Sequence, residues 1–145
     1  MKHLIAIFSL VFFLFPLNYN TEADQIVGIW FTENSEAKVE IYKKEKKYFG
    51  KIIWSKSIEL GEADGIDSKN PNENLRNRKL IGLNILSEFE YNGNNVWEDG
   101  EVYDPENGKT YRCKITLQKD KKTLNVRGFI GFSLMGRTTV WRKAE

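Results

Sequence analysis

From Val27 onward the sequence is a succession of short runs in which apolar and polar residues alternate, each run closed by a turn signal. A period of two is the pattern of a strand with one buried face. Nothing in this stretch sustains the 3.6-residue period of a long amphipathic helix. The clearest run places Tyr111, Cys113, Ile115 and Leu117 on one face and Arg112, Lys114, Thr116 and Gln118 on the other. A second sets Leu124, Val126, Gly128 and Ile130 against Asn125, Arg127 and Phe129. Further strands are expected at VGIWF (27–31), VEIY (39–42), YFGKIIW (48–54), EFEY (88–91), VWEDGEVY (96–103) and TTVWR (138–142). The connections read as turns: KKEKK at 43–47, Asn92-Gly93 within NGNN, DPENGK at 104–109 and KDKK at 119–122. So many short strands in so modest a length predict an all-β fold, a small antiparallel barrel or sandwich. Barrel closure is the favoured form because it removes exposed edges without a second layer.

The first 23 of the 145 residues have a different character. Lys2 precedes the apolar run LIAIFSLVFFLFPL at 4–17, which is followed by polar NYNTEA. A positive start, an apolar centre and a small residue at Ala23 are the layout of a secretory signal peptide spanning residues 1–23. The run is shorter than the roughly 20 residues that span a bilayer comfortably, and no later segment competes. The expectation is an exported protein, periplasmic or extracellular, whose finished chain is a single domain over residues 24–145 with no integral membrane segment.

That division constrains chemistry. The only histidine, His3, lies in the leader, and Cys113 is the only cysteine. Histidine-based acid and base catalysis, the Ser-His-Asp arrangement, ordinary His/Cys zinc sites and an intrachain disulfide are all excluded by composition. Neither a metal nor a cofactor is expected. Cys113 falls on the apolar face of its strand and reads as a small core residue. The net charge of +2 survives loss of the leader, which takes away Lys2 and Glu22 together. So balanced a chain lacks the electrostatic footprint of a nucleic-acid binder.

One long polar segment, SKSIELGEADGIDSKNPNENLRNR at 55–78, interrupts the strands. It reads as a structured surface loop with a short helix near Asn72 to Arg76, in which Asp67 or Asn70 satisfies nearby backbone N–H groups. Asp64, Asp67 and Glu73 do not have the spacing of a helix–loop–helix calcium site. Arg76 and Arg78 have the chemistry to clamp a carboxylate or phosphate, or else to pair internally with Asp67, Glu101 or Asp104. Glu98, Asp99 and Glu101 stand beside Trp97 and Tyr103, and two carboxylates suffice for glycoside hydrolysis. Residues 99 and 101 share a strand face unless Gly100 introduces a bulge.

The two ends of the barrel region, Gly28-Ile29-Trp30 and Trp141-Arg142, resemble the lipocalin-like, or calycin, pattern of an early Gly-x-Trp meeting a terminal arginine. The ordered set GKIIW (50–54), DSKNPNENLRNRKLIG (67–82), GEVYDPENGKTY (100–111), VRGFIG (126–131) and GRTTVWR (136–142) resembles the bacterial exported family catalogued as domain of unknown function 2147. The resemblance runs from about Val27 to Arg142. It implies a lipocalin-like barrel with a long loop or short helix between early strands, and it brings no established reaction. It further implies structural closure by Gly28, Trp30, Trp141 and Arg142, with Arg142 stacked over the Trp30 ring. Asp67, Asn70, Pro71, Asp104 and Pro105 are the implied loop anchors, and Tyr103, Arg127, Arg137, Arg76 and Arg78 the inward or mouth-facing ligand candidates. The leading expectation is a binding protein that holds a small apolar or amphipathic ligand in the barrel. A solid-core envelope or protein-interaction module and a histidine-independent hydrolase using carboxylates are the alternatives.

Overall fold

The computed structural model describes residues 21–132 and 134–145. Residues 1–20, and with them most of the expected leader, lie outside the described residues.

Eight antiparallel strands, each paired with its sequence neighbours, close into a barrel. They are β1 (Gly28–Phe31), β2 (Ala37–Lys44), β3 (Lys47–Ser55), β4 (Asn84–Gly93), β5 (Val96–Asp104), β6 (Lys109–Leu117), β7 (Thr123–Phe129) and β8 (Gly136–Lys143). Alternation dictates which face turns inward: Cys113, Ile115 and Leu117 of β6 and Leu124 and Val126 of β7 are buried, as the period of two requires. The closing contact is brief, since β8 meets β1 only through Trp30↔Lys143 and Phe31↔Arg142.

In an up-and-down barrel alternate connections share one end. At the first end a 3₁₀ turn, Glu22–Ile26, precedes β1 and seals the barrel. Its Ile26 is fully buried, and the Ile26 and Ala23 carbonyls accept from the indole nitrogens of Trp30 (2.8 Å) and Trp97 (3.0 Å). Tyr48 packs edge-on against Trp97 and donates to Asp24 at 2.6 Å. Large rings fill this half. Phe89 needs Gly100 opposite it, because a Cβ there would stand 2.4 Å from the ring. The cation over the Trp30 ring is Lys143, 5.8 Å from its centroid, and not Arg142, whose side chain is exposed on the outer wall. This corrects the closure expected from Trp141-Arg142: the register opposes Lys143, not Arg142, to Trp30.

The connection between β4 and β5 also differs from expectation. The two-residue turn is Asn94-Asn95, both left-handed at φ 54° and 59°, while Gly93 remains in the strand opposite Val96. Two consecutive left-handed residues match the twist of a hairpin, and asparagine tolerates that region.

At the second end lie the β1–β2, β3–β4, β5–β6 and β7–β8 connections. The β3–β4 connection is the long one. It holds a four-residue helix, α1 (Lys56–Glu59), and a 3₁₀ turn, Glu73–Leu75, whose N-cap Asn72 accepts from the Asn74 N–H at 3.1 Å. The short helix expected there is present, capped by Asn72, and Asn70 satisfies a nearby backbone N–H as expected, its Oδ1 accepting from Asn72 N–H at 2.9 Å. Among the described residues no helix is long and apolar enough to cross a membrane.

Candidate functional site

The second end is open. A cavity of about 430 Å³ enters the barrel there, walled by Ile85, Val102, Val126, Met135 and Trp141, with Tyr103, Thr139 and Arg137 as polar members. Val126 and Trp141 face inward by strand alternation, whereas Ile130 and Met135 enter from the β7–β8 connection at the rim. The Trp141 indole donates to Thr139 Oγ1 at 3.1 Å, which fixes the ring against the wall.

Tyr103 separates this cavity from a smaller polar recess of about 260 Å³, bounded in part by Asn70, Pro71, Arg78, Glu101 and Thr110. Behind the recess sits a fully buried carboxylate, Asp67. Its Oδ1 accepts from Tyr103 Oη at 2.5 Å, and its Oδ2 accepts from Arg78 Nε at 2.8 Å and Asn70 Nδ2 at 2.9 Å. The Arg78 guanidinium also lies over the Tyr103 ring, 5.6 Å from its centroid. Burial alone would raise the Asp67 carboxyl, but the donors Tyr103, Asn70 and Arg78 outweigh it and hold the group below the ordinary carboxylate range. The phenol of Tyr103 moves the other way, raised by burial and by donating a hydrogen bond to a charged carboxylate.

The cluster staples the long loop to the barrel. Asp67 N–H donates to the Arg78 carbonyl, Asn72 N–H to Asn70 Oδ1, and Arg76 Nε to the Asn70 carbonyl at 2.8 Å. The loop then meets the β5–β6 turn so closely that a Cβ on Gly108 would stand 1.9 Å from the Lys69 carbonyl oxygen. Gly108 itself is left-handed at φ 71°. Asp104 builds that turn by accepting from the Glu106 N–H, and Pro105 forms part of the cavity wall.

The expected ligand-facing residues therefore separate into groups. Tyr103 and Arg137 border the cavity, and Arg137 reaches across to Glu33 at 3.2 Å. Arg78 borders the polar recess and is engaged by Asp67. Arg76 does not line the cavity and ties the loop to itself through Asn70 and Glu73. Arg127 is a correction: it lies on the outer face of β7, between inward Val126 and Gly128, and binds Thr138 Oγ1 and the Leu134 carbonyl. The alternation of β7 already contained that answer.

Glu98 and Asp99 occupy the outer wall beside Arg112 and Lys114, away from the cavity. A register shift between Trp97 and Gly100, with Asp99 at φ 59°, marks the bulge that breaks the face residues 99 and 101 would otherwise share. The Cys113 thiol is buried among the core side chains and pushed up to about 12 by that burial. The residues missed by the sequence reading are the apolar cavity walls Ile85, Val102 and Met135. Their inward or rim position depends on where the barrel is left unfilled, for which a single strand carries no signal.

Comparison with known proteins places this geometry. The profile of a family described as "Uncharacterized protein conserved in bacteria (DUF2147)" matches residues 28–143, the whole barrel. Among solved structures, protein HP1028 from the human pathogen Helicobacter pylori, described as belonging to the lipocalin family, is similar with a TM-score of 0.73 and 25% identity. The similarity covers 83% of this chain and 83% of that one. No curated protein sequence matches.

Proposed function

The chain belongs to the bacterial family DUF2147, and from that premise we propose that its lipocalin-like barrel binds a small amphipathic molecule at the open end. The observation that carries this reading is the cavity itself. Its volume of about 430 Å³ lies within the range of small-molecule sites, and its walls are apolar with a few polar groups at one side. An apolar tail would pack on Val102, Val126 and Trp141, while a polar or anionic head would meet Arg137 and Thr139 at the rim. Glu33 holds the Arg137 guanidinium in place and yields part of it to an incoming head group. The similar Helicobacter pylori barrel, described as a lipocalin, supports the same reading by analogy of fold.

Titration with a medium-chain fatty acid, followed by the intrinsic fluorescence of the four tryptophans, of which Trp141 lines the cavity, and by native mass spectrometry, tests it. A one-to-one adduct is expected. Val102→Trp, placed on a half-buried cavity wall, should abolish the adduct while the circular dichroism spectrum stays that of the barrel. Absence of any adduct across fatty acids, lysolipids and aromatic acids would overturn the reading. We propose export as well, supported by the leader-like residues 1–23; the mass of the protein recovered from a secreting bacterium would show whether they are removed.

A further inference from the structure

The β7–β8 connection presents an apolar tip to solvent. Ile130, Phe132, Leu134 and Met135 are 71%, 79%, 90% and 74% exposed, and they are the four most exposed large hydrophobic residues among those described. Isolated exposed apolar residues are ordinary, but four within one tight connection form a patch that water disfavours. The connection is held in shape from beneath: Met135 N–H donates to the Phe132 carbonyl, and Arg127 donates to the Leu134 carbonyl. Both contacts tie residues 132, 134 and 135 to the hairpin.

Charge decides what the patch fits. The hairpin carries no acidic residue between Lys121 and Ala144; of its cations Lys121, Lys122, Arg142 and Lys143 stand at the far end and Arg127 and Arg137 near the tip, Arg137 paired with Glu33 of the neighbouring connection at 3.2 Å. Arg127 and Arg137 flank the tip directly, and Arg112 stands beside it over the Phe129 ring, 5.7 Å from the centroid. Apolar side chains at the apex with guanidinium groups a few residues behind match the layering of a membrane interface, where acyl chains lie beneath anionic head groups. A second copy of the chain would bring the same cations against each other. We infer that the β7–β8 tip is a docking element for an anionic phospholipid surface, inserting Phe132, Leu134 and Met135 and seating the arginines on phosphates. Ile130 and Met135 also line the cavity, so docking would set the open end against the bilayer, where amphipathic molecules reside.

This inference goes beyond ligand binding and is read without a ligand. An environment-sensitive fluorophore is attached in the full-length chain at Leu134→Cys or, at the opposite end of the same hairpin, at Lys121→Cys; Cys113 is buried and does not compete. With phosphatidylcholine–phosphatidylglycerol vesicles, the label at 134 should shift to the blue and be quenched by brominated acyl chains, and the label at 121 should not. Because each label reports its own position, vesicle binding through residues 4–17 does not mimic the result. Phe132→Ser combined with Met135→Ser should weaken the response at 134 by about tenfold or more, from the lost apolar area. Phe132→Ser alone should weaken it in part, with circular dichroism verifying the barrel in each variant. An unchanged spectrum at 134, equal shifts at 134 and 121, or a shift that needs only higher protein concentration and tracks dimer formation would each overturn the inference. The fatty-acid titration stays informative in every case, so failure of docking and failure of cavity binding are separable.

Discussion

A buried carboxylate is costly unless every oxygen is matched, and Asp67 shows how this chain meets that demand with residues 11 and 36 positions away. Tyr103 contributes one hydroxyl, yet that hydroxyl is the sole partner of Oδ1 among the hydrogen bonds described above. Tyr103→Phe keeps the ring against Arg78 and removes the donor to Asp67 together with an acceptor for Asn70 Nδ2 at 3.2 Å, so it should destabilise the fold by about 1–3 kcal/mol, as a urea midpoint would show. The pH dependence has a definite sign. The folded-state pKa of Asp67 lies below its ordinary value of 3.8, so its contribution is fully present above the unfolded pKa and is lost as pH falls through the folded value. Urea midpoints of the native protein should therefore fall below about pH 4. In Asp67→Asn this component of the fall should disappear, although other carboxylates, Asp24 among them, continue to contribute. Asp67, Asn70 and Arg78 were legible as anchor candidates, because polar residues in a long loop must satisfy backbone and one another. That Tyr103 completes the set was not legible, since it depends on β5 lying under the loop.

Elements show a similar division between what alternation encodes and what register decides. All eight strands are visible in the sequence because each has one buried face, and a period of two records that directly. The Asn94-Asn95 turn and the Lys143–Trp30 contact were displaced by one or two residues from their expected positions, because hydrogen-bond register across a pair has no signature within either strand alone. The 3₁₀ turn Glu22–Ile26 carries a sharper consequence. It contains Ala23, the residue after which a leader peptidase is expected to cut, and the Ala23 carbonyl is the acceptor for Trp97 Nε1. Glu22 also accepts from Tyr91 Oη at 3.3 Å. A chain beginning at Asp24 loses both acceptors, and the indole N–H at the sealed end is left without its partner. Compared with a chain beginning at Thr21, it should be less stable by about 1–3 kcal/mol, a drop of several degrees in Tm by scanning calorimetry. Equal melting temperatures would show that the turn is dispensable to the seal.

At the scale of the whole molecule, inward side chains are legible but the volume they leave is not. Val126, Gly128 and Trp141 follow from alternation, whereas the cavity is the difference between the barrel's interior and the sum of the groups that fill it. Closure has the same non-local character. Every pair from β1–β2 to β7–β8 joins strands adjacent in sequence, while β1–β8 must bring together residues more than 100 positions apart through two opposed pairs. Loop-closure entropy weighs most heavily on that contact, and so little ladder returns little in exchange. The seam should accordingly open before the rest of the barrel. Strand geometry identifies the amides that report it. Lys143 N–H points to β7, where it donates to the Lys122 carbonyl, and Ala144 N–H points to β1, where it donates to Ile29. With no register shift along β7–β8, Arg137, Thr139 and Trp141 share the direction of Lys143, and Thr138 and Val140 share that of Ala144. Arg142, opposite Phe31 at the end of the β1 ladder, also points as Ala144 does. The amides of Arg142 and Ala144, which form the seam, should exchange with solvent on the order of tenfold faster than those of Thr139 and Trp141, measured by hydrogen exchange under native conditions. Equal protection at all four positions would mean that the seam is as firm as the other ladders, and that opening of this barrel begins elsewhere.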